Sequence, residues 1–535
     1  MTAATWRTRL GALAAVIATA AAIALLARLD RRLLAVGWFA LVPWLALLDR
    51  VTSVRAALAA GWLMCEAFVL IVFAWFPSAI QNYTTWPWWL AVAAVIAVAP
   101  LLQPQFLTVA LARHLVRRRA GWLPVAFTGA CIYVGTEWLC PKLFADTLGQ
   151  TLYPSKLMRQ AADLAGAHGL TFALFVVNEC ALATLRGFAG DASSRRAAWE
   201  PAACAVTLTL GLLAYGAVRV EQFDDATQPA GSLTVGAVQA NISKYGQLAE
   251  RMGTYDATRM ILDTHFALSD RLRSQAEVDL LVWPETVYPT TFGTPKSEEG
   301  AAFDREIVGY IARTNIPLIF GAYDLDDGAE FNAAMILQPA RDGKLFVEAY
   351  RKHWLFPLIE RAPALLDSDA IRRWLPWLGT WNAGAGPQVI AVTVRSGRTI
   401  RVAPLICYDA IDPALPLTAV QQGADLLVTL SNDSWFNFGR VPRLILVLSA
   451  FRSIETRRPQ VRVTNTGISA IISPTGAIVK RVGIDRRGTL LAPVTPAAPA
   501  MTLMLRWGDW FGPTALASGA LSLVWLFMRR RAVCS

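Results

Sequence analysis

Three side chains in this 535-residue sequence are of types that together can perform acyl transfer: Glu285, Lys352 and Cys407. A free thiol of pKa about 8.5 is barely ionised at neutral pH, so a cysteine nucleophile needs a base or a cation beside it. Glu285 is the candidate base for the Cys407 thiol. Lys352 is the candidate stabiliser of the thiolate and of the oxyanion in a tetrahedral intermediate. The backbone N–H of Tyr408, next after the nucleophile, suits an oxyanion hole, where one donor is typically worth about 3–4 kcal/mol. Taken singly, each residue has a plainer reading: a solvated loop acid, a surface lysine, a core cysteine.

What sets them apart is that each follows an apolar, strand-like run. Asp279 to Trp283 leads into Pro284-Glu285, Leu345 to Tyr350 into Arg351-Lys352, and Arg401 to Ile406 into Cys407-Tyr408-Asp409. Active sites of α/β domains gather at the carboxyl ends of strands. Nine strands are expected, at 233–238, 278–283, 317–322, 333–338, 345–350, 400–406, 424–430, 461–464 and 468–472. Helical patterns at 255–275, 300–314, 413–422 and 440–457 separate several of them. Near-continuous apolar strands alternating with helices indicate an α/β domain with buried sheets.

The rest of the chain is of another kind. Hydrophobic residues make up 55% of the sequence and charged residues only 17%. The apolar excess lies before about Arg219 and after about Gly512, so more than one structural unit is expected. Runs long enough to span a bilayer fall at 9–28, 33–49, 55–78, 87–110, 121–141, 167–187, 198–218 and 512–529. A cleaved signal peptide competes with the first run, but a second apolar run follows at once, which favours a retained anchor. This gives a division into helices over 1–220, a catalytic domain over 232–500 and a last span over 512–530.

The formal charge of +11 resides largely in arginine groups flanking the spans, including Arg117 to Arg119, the pair Arg195 and Arg196, and Arg529 to Arg531. That is the positive-inside pattern rather than a nucleic-acid footprint, and no nucleic-acid partner is expected. With the N-terminus cytoplasmic, these groups and Arg50 and Arg55 face the cytoplasm and the central domain lies outside; only Arg28, Arg31 and Arg32 disagree. Five of the seven cysteines sit in apolar runs, Cys534 is in the tail, and Cys407 alone lies between the membrane blocks. Four scattered histidines, never at HExxH spacing, give no metal site.

Trp283-Pro284-Glu285, Tyr350-Arg351-Lys352-His353 and Ile406-Cys407-Tyr408-Asp409 resemble the three signatures of the nitrilase (carbon–nitrogen hydrolase) superfamily. The likeness is strongest to the apolipoprotein N-acyltransferase family of Gram-negative bacteria and covers nearly the whole chain. Thr429 to Phe436, Val463 to Ser469 and Val238 to Ile242 resemble that family's segments, as do Glu137-Trp138, Asp163 to Gly169 and Asn178 in the membrane block. The resemblance implies about eight transmembrane helices plus an αββα sandwich on the periplasmic side of a bacterial inner membrane. It implies a ping-pong reaction without cofactor, in which Cys407 takes an acyl chain from a phospholipid as a thioester. That chain then passes to the diacylglyceryl-cysteine amine of a lipoprotein. Glu285 would be the general base, Lys352 the stabiliser, Cys407 the nucleophile and Glu360 an accessory acid. Tyr408, Asp409 and Trp435 would shape the oxyanion hole and pocket. Three positions depart from the family: Ala240 and Ile359 stand where it has glycine, and Asp409 where it has glutamate.

Between Lys352 and Cys407 runs an apolar segment with Trp354, Trp374, Trp377 and Trp381, and with Arg372 and Arg373 alongside. Tryptophan beside arginine suits the headgroup level of a membrane, so this arm is expected to admit acyl chains, unless it merely caps the domain core. Two other functions use the same features: a membrane-tethered amidase with water as acceptor, and a catalytically silent membrane scaffold.

Overall fold

The computed structural model describes residues 3–84, 86–140, 142–223, 231–242, 245–340, 344–364, 367–375, 377–435, 439–496 and 500–533. Cys534, Phe436 and the side chains of Trp435 and of Arg529 to Arg531 lie outside the described set. The chain divides into two compact units, one of Met1–Gln222 with Asp509–Ser535, the other of Phe223–Gly508.

The first unit is helical. By length and composition, six of its described helices can cross a membrane, or seven if the pair Trp88–Leu102 and Gln105–Val116, bent by 47°, counts as one broken span. The break falls at Gln103-Pro104, where proline removes a helix donor. The count is below the eight expected because of Trp122–Leu139. That helix forms where 121–141 was expected, but Pro124, Gly129, Gly135, Thr136 and Glu137 dilute its apolar character, and most of it is buried in the bundle. Small and polar residues are how helices pack on one another in a membrane, so this helix reads as an interior one.

Among its described residues the second unit contains twelve strands: β1 Leu233–Gln239, β2 Leu280–Val282, β3 Leu318–Asp326, β4 Ala329–Pro339, β5 Leu345–Arg351, β6 Ile390–Thr393, β7 Thr399–Ile406, β8 Leu426–Ser431, β9 Gln460–Thr464, β10 Ser469–Ile472, β11 Ile478–Val482 and β12 Gly488–Val494. They form two six-stranded sheets, ordered β12-β1-β2-β3-β4-β5 and β11-β10-β9-β8-β7-β6. In each sheet the central triplet is parallel, β1-β2-β3 in one and β7-β8-β9 in the other. These are the strands whose apolar runs were continuous. Three strands were not anticipated, β6, β11 and β12. β6 and β11 are edge strands with polar or exposed alternate positions, and β12 has Gly488 and Pro493, residues that strands disfavour.

Val235, Val282 and Ile336 of one sheet pack with Val402, Val428 and Val461 of the other in a single buried core. The outer face of the first sheet is covered by helices Thr254–Gln275 and Glu298–Thr314, through Leu262, Leu272, Ile307 and Ile311 against Trp283 and Phe320. Helices Ala414–Gln421 and Arg440–Thr456 accompany the second sheet. The layers are therefore αββα.

Behind the second sheet's site end lies a fully buried ion pair. Arg462 of β9 meets Asp433, just past β8, at 3.2 Å, and Ser431 Oγ donates to the same carboxylate at 2.7 Å. Removing one member strands a charge in a dry interior. Arg462→Met is expected to cost about 3–5 kcal/mol, read as a lowered unfolding midpoint of the detergent-purified protein. Adding Asp433→Asn should recover part of that loss; an equal or larger loss in the double variant would show that pairing is not what holds the two residues.

Candidate active site

Glu285 lies three residues past β2, Lys352 directly follows β5 and Cys407 directly follows β7. Main-chain pairing aims Lys352: its N–H donates to the Asn332 carbonyl of β4 at 2.8 Å, and its own carbonyl accepts from Gly384 N–H at 2.7 Å. The lysine is 1% exposed and its Nζ donates to Glu360 Oε1 at 2.8 Å and to Glu285 Oε1 at 3.3 Å. Glu285, 5% exposed, also accepts from Asn332 Nδ2 at 2.8 Å and from the backbone N–H of Asn432 at 2.7 Å. Glu360 Oε2 accepts from Phe356 N–H at 2.7 Å. One ammonium thus bridges two carboxylates.

Cys407 opens a 3-10 turn, Cys407–Ala410, with a left-handed φ of 47°. A non-glycine residue there stores strain of order 1 kcal/mol or more and lifts a nucleophile out of the strand line. The thiol is pushed up to about 12, first by burial and then by the Glu285 carboxylate, while the Lys352 ammonium pulls it down. A thiol held this far up stays protonated at rest, so ionisation must be coupled to proton transfer. Burial raises Glu285 above the ordinary glutamate range, although the Lys352 charge opposes it, which makes it a better base than a solvated glutamate. Lys352 is driven upward by the charges of Glu285 and Glu360, which outweigh its desolvation, so it remains an ammonium.

The Asp409 carboxylate is closed off from solvent. It is fully buried, with Oδ2 accepting from Tyr350 hydroxyl at 2.8 Å and Ile406 N–H at 3.0 Å, and Oδ1 from Trp354 N–H at 2.7 Å and His353 N–H at 3.2 Å. Burial raises it to about 6 despite these donors. The shorter acid pins the nucleophile turn to the segment just after Lys352. The Tyr408 ring stands edge-on to Phe356, 5.1 Å between centroids. Neither departure from glycine lies at a turn requiring one: the left-handed residues are Asn241 (φ 53°) and Leu358 (φ 70°), each next to the substituted position.

The tryptophan arm divides in two. Trp374, closing the short helix Asp369–Trp374, is 74% exposed and Trp354 is 41% exposed. Trp377 is half-buried, Leu378 is buried and Trp381 packs on Tyr323 at 4.7 Å.

Sequence reasoning passed over three parts of this site. Asn332, a buried amide inside a strand, donates to both carboxylates, at 2.8 Å to Glu285 and 3.3 Å to Glu360; an asparagine in an apolar strand is the signal that was available. The backbone N–H of Asn432 has no side-chain signature at all. The third part is a pair of close backbone approaches. A Cβ on Gly379 would come within 2.1 Å of the Ile359 carbonyl oxygen and 2.3 Å of the Glu360 carbonyl carbon, and one on Gly321 within 2.5 Å of Glu285 Cα. Each glycine lets the backbone of a site acid lie flat against its neighbour.

A strained cysteine beside a buried acid–ammonium pair, on paired α/β sheets, belongs to the nitrilase class of thiol-dependent acyl-transfer domains. Residues 234–499 match the carbon-nitrogen hydrolase family and residues 20–180 the apolipoprotein N-acyltransferase N-terminal domain. Apolipoprotein N-acyltransferase of Bdellovibrio bacteriovorus is 27% identical over 488 residues, 87% of this chain and 85% of that one. That of Geobacter metallireducens is 26% identical over 513 residues, 92% of this chain and 91% of the relative. Among solved structures, an amidase from Nesterenkonia sp. superposes with a TM-score of 0.36 at 16% identity, covering 51% of this chain and 94% of the amidase. The chain belongs to the apolipoprotein N-acyltransferase family, and it is a multi-pass bacterial membrane protein.

General-base action needs Glu285 ionised, and its pKa is raised in the folded protein. kcat/KM is therefore expected to fall as pH drops through a point above the ordinary glutamate value of about 4.3. Glu285→Gln should remove this acid limb and lower the rate by about 10²–10⁴. A limb centred at or below 4.3 in a pH–rate profile would refute the assignment.

Proposed function

We propose that the protein moves a fatty acyl chain from a phospholipid to the N-terminal diacylglyceryl-cysteine of a lipoprotein, by way of a thioester on Cys407. As an N-acyltransferase of lipoprotein maturation it acts at a membrane, where both substrates reside. The observation that carries the mechanism is the placement of the Lys352 ammonium between Glu285 and Glu360, in a buried site whose charges act on the Cys407 thiol.

In the first half-reaction Glu285 takes the thiol proton as sulfur attacks the ester carbonyl. The resulting oxyanion is met by the Lys352 ammonium and the Tyr408 N–H, which are worth most in a water-poor site. Collapse breaks the ester C–O bond, and the lysophospholipid leaves with the proton held by Glu285. In the second half-reaction the lipoprotein amine attacks the thioester, Glu285 receives the amine proton, and the C–S bond breaks to give the amide as that proton passes from Glu285 to the Cys407 sulfur. Glu360 and Asn332 hold Lys352 and Glu285 in register and exchange no proton. The arginine groups flanking the spans support an orientation in the bacterial inner membrane with the catalytic domain on the periplasmic side.

Phospholipid incubated with the purified full-length protein should give a hydroxylamine-sensitive mass increase equal to one acyl chain. Cys407→Ala should abolish it, and a diacylated lipopeptide should discharge it much faster than water. Rapid discharge by water would make the protein a hydrolase; no adduct would leave it a scaffold.

The exposed half of the arm is assigned to acyl-chain entry, since tryptophan with exposed faces favours the bilayer interface. Trp374→Ser is expected to lower the rate with phospholipid by about tenfold or more while sparing small soluble acyl esters. Equal loss on both substrates would refute that assignment.

A further inference from the structure

The helical unit holds a second concentration of charge that acyl transfer does not use. Helices Val42–Arg50, Gln105–Val116, Trp122–Leu139 and Ala162–Phe188 line a cavity of about 710 Å³. Asp49 binds the Arg113 guanidinium with both oxygens, Nε to Oδ1 at 2.9 Å and Nη2 to Oδ2 at 3.0 Å. The same carboxylate is bonded by Arg186 and lies 3.9 Å from Arg117, while Glu179 takes the remaining arm of Arg113. Arg118 also lines the space. Four arginines face two carboxylates, which leaves two positive charges without a carboxylate of their own. Arg117 Nε is buried and has no partner among the described residues. The other walls are apolar, with Trp122, Val125 and Leu182.

Arg113 is buried and Arg117 half-buried, whereas Arg118 and Arg186 are exposed, so the excess positive charge gathers toward the open side of the cavity, where an anion can reach it. Guanidinium forks match phosphate oxygens, and the apolar walls match the glycerol and first methylenes of a lipid. The volume falls in the usual range for small-ligand sites. Arg117 and Arg118 belong to the flanking groups that the charge rule puts on the cytoplasmic side, where basic pockets between helices receive anionic headgroups. We propose that this cavity is an anion site for a phosphate group, carried by an anionic phospholipid of the cytoplasmic leaflet, and separate from the acyl-donor site.

The test is native mass spectrometry of the full-length protein in detergent, titrated with phosphatidylglycerol, with phosphatidylethanolamine or with inorganic phosphate. Arg118→Gln with Arg186→Gln removes two cavity arginines and leaves the buried Arg113 pairs in place. Arg195→Gln with Arg196→Gln removes equal charge from the same membrane side, outside the lining. Donor binding near Cys407 is common to all variants and cancels. The cavity variant should hold phosphatidylglycerol about tenfold more weakly or worse, with phosphatidylethanolamine retention unchanged and the control variant like wild type. Phosphate competing with that lipid at millimolar concentration would support the shared chemistry. Equal weakening in both variants, no weakening in either, or retention of inorganic phosphate with no preference for the anionic lipid would overturn the proposal.

Discussion

A lysine ammonium 1% exposed to solvent is tolerable only if something replaces its water, and here two carboxylates do. Three ionised groups in one dry volume would themselves be costly if left as a bare cluster. Each carboxylate is therefore given further donors: the Asn332 amide to both, the Asn432 N–H to Glu285 and the Phe356 N–H to Glu360. Those donors come from β4, from the loop past β8 and from the segment past Lys352. Satisfying one buried cation thus draws separate parts of both sheets to the same point.

That convergence also ties the two sheets together. Glu285 emerges from the first sheet and accepts a hydrogen bond from Asn432 of the second; Tyr350 of the first donates to Asp409 of the second. The bonds close the edge of a core built largely from apolar side chains of both sheets. Side chains held from two directions lose rotamer freedom once, on folding, rather than at each turnover, which is the economy of a pre-organised site. The backbone contributes as well. Gly321 and Gly379 allow main chains to approach where any Cβ would collide, and the left-handed Cys407 is held at a conformation it would not choose alone.

The charges of the site bear directly on the chemistry proposed for it. Burial pushes the Cys407 thiol up to about 12, and the proposed mechanism accordingly moves the thiol proton to Glu285 as the sulfur attacks. In that proposal the ammonium meets negative charge that appears on the carbonyl oxygen rather than charge already present. That is stabilisation of the transition state more than of the ground state.

The sequence by itself determined the strand-end positions of Glu285 and Cys407, because long apolar runs bounded by polar residues report buried parallel strands directly. Lys352 was legible in the same way only as the end of an apolar run, since β5 is an antiparallel edge strand with most of its residues exposed or half-buried. It also determined that helices able to span a bilayer flank an α/β domain. The bent pair at Gln103-Pro104 and the interior helix Trp122–Leu139 were not legible, since hydropathy measures composition and not which neighbours a helix buries against. Only the tertiary structure decided that Asp409 is a brace, that Asn332 serves both acids, and that the turns beside Ala240 and Ile359 fall at Asn241 and Leu358. The exposed and packed halves of the tryptophan arm were likewise separated only in three dimensions. The reason is common to all of these: a side chain's type shows in sequence, but the identity of its partners depends on which distant strands and loops the fold brings within about 3 Å of it.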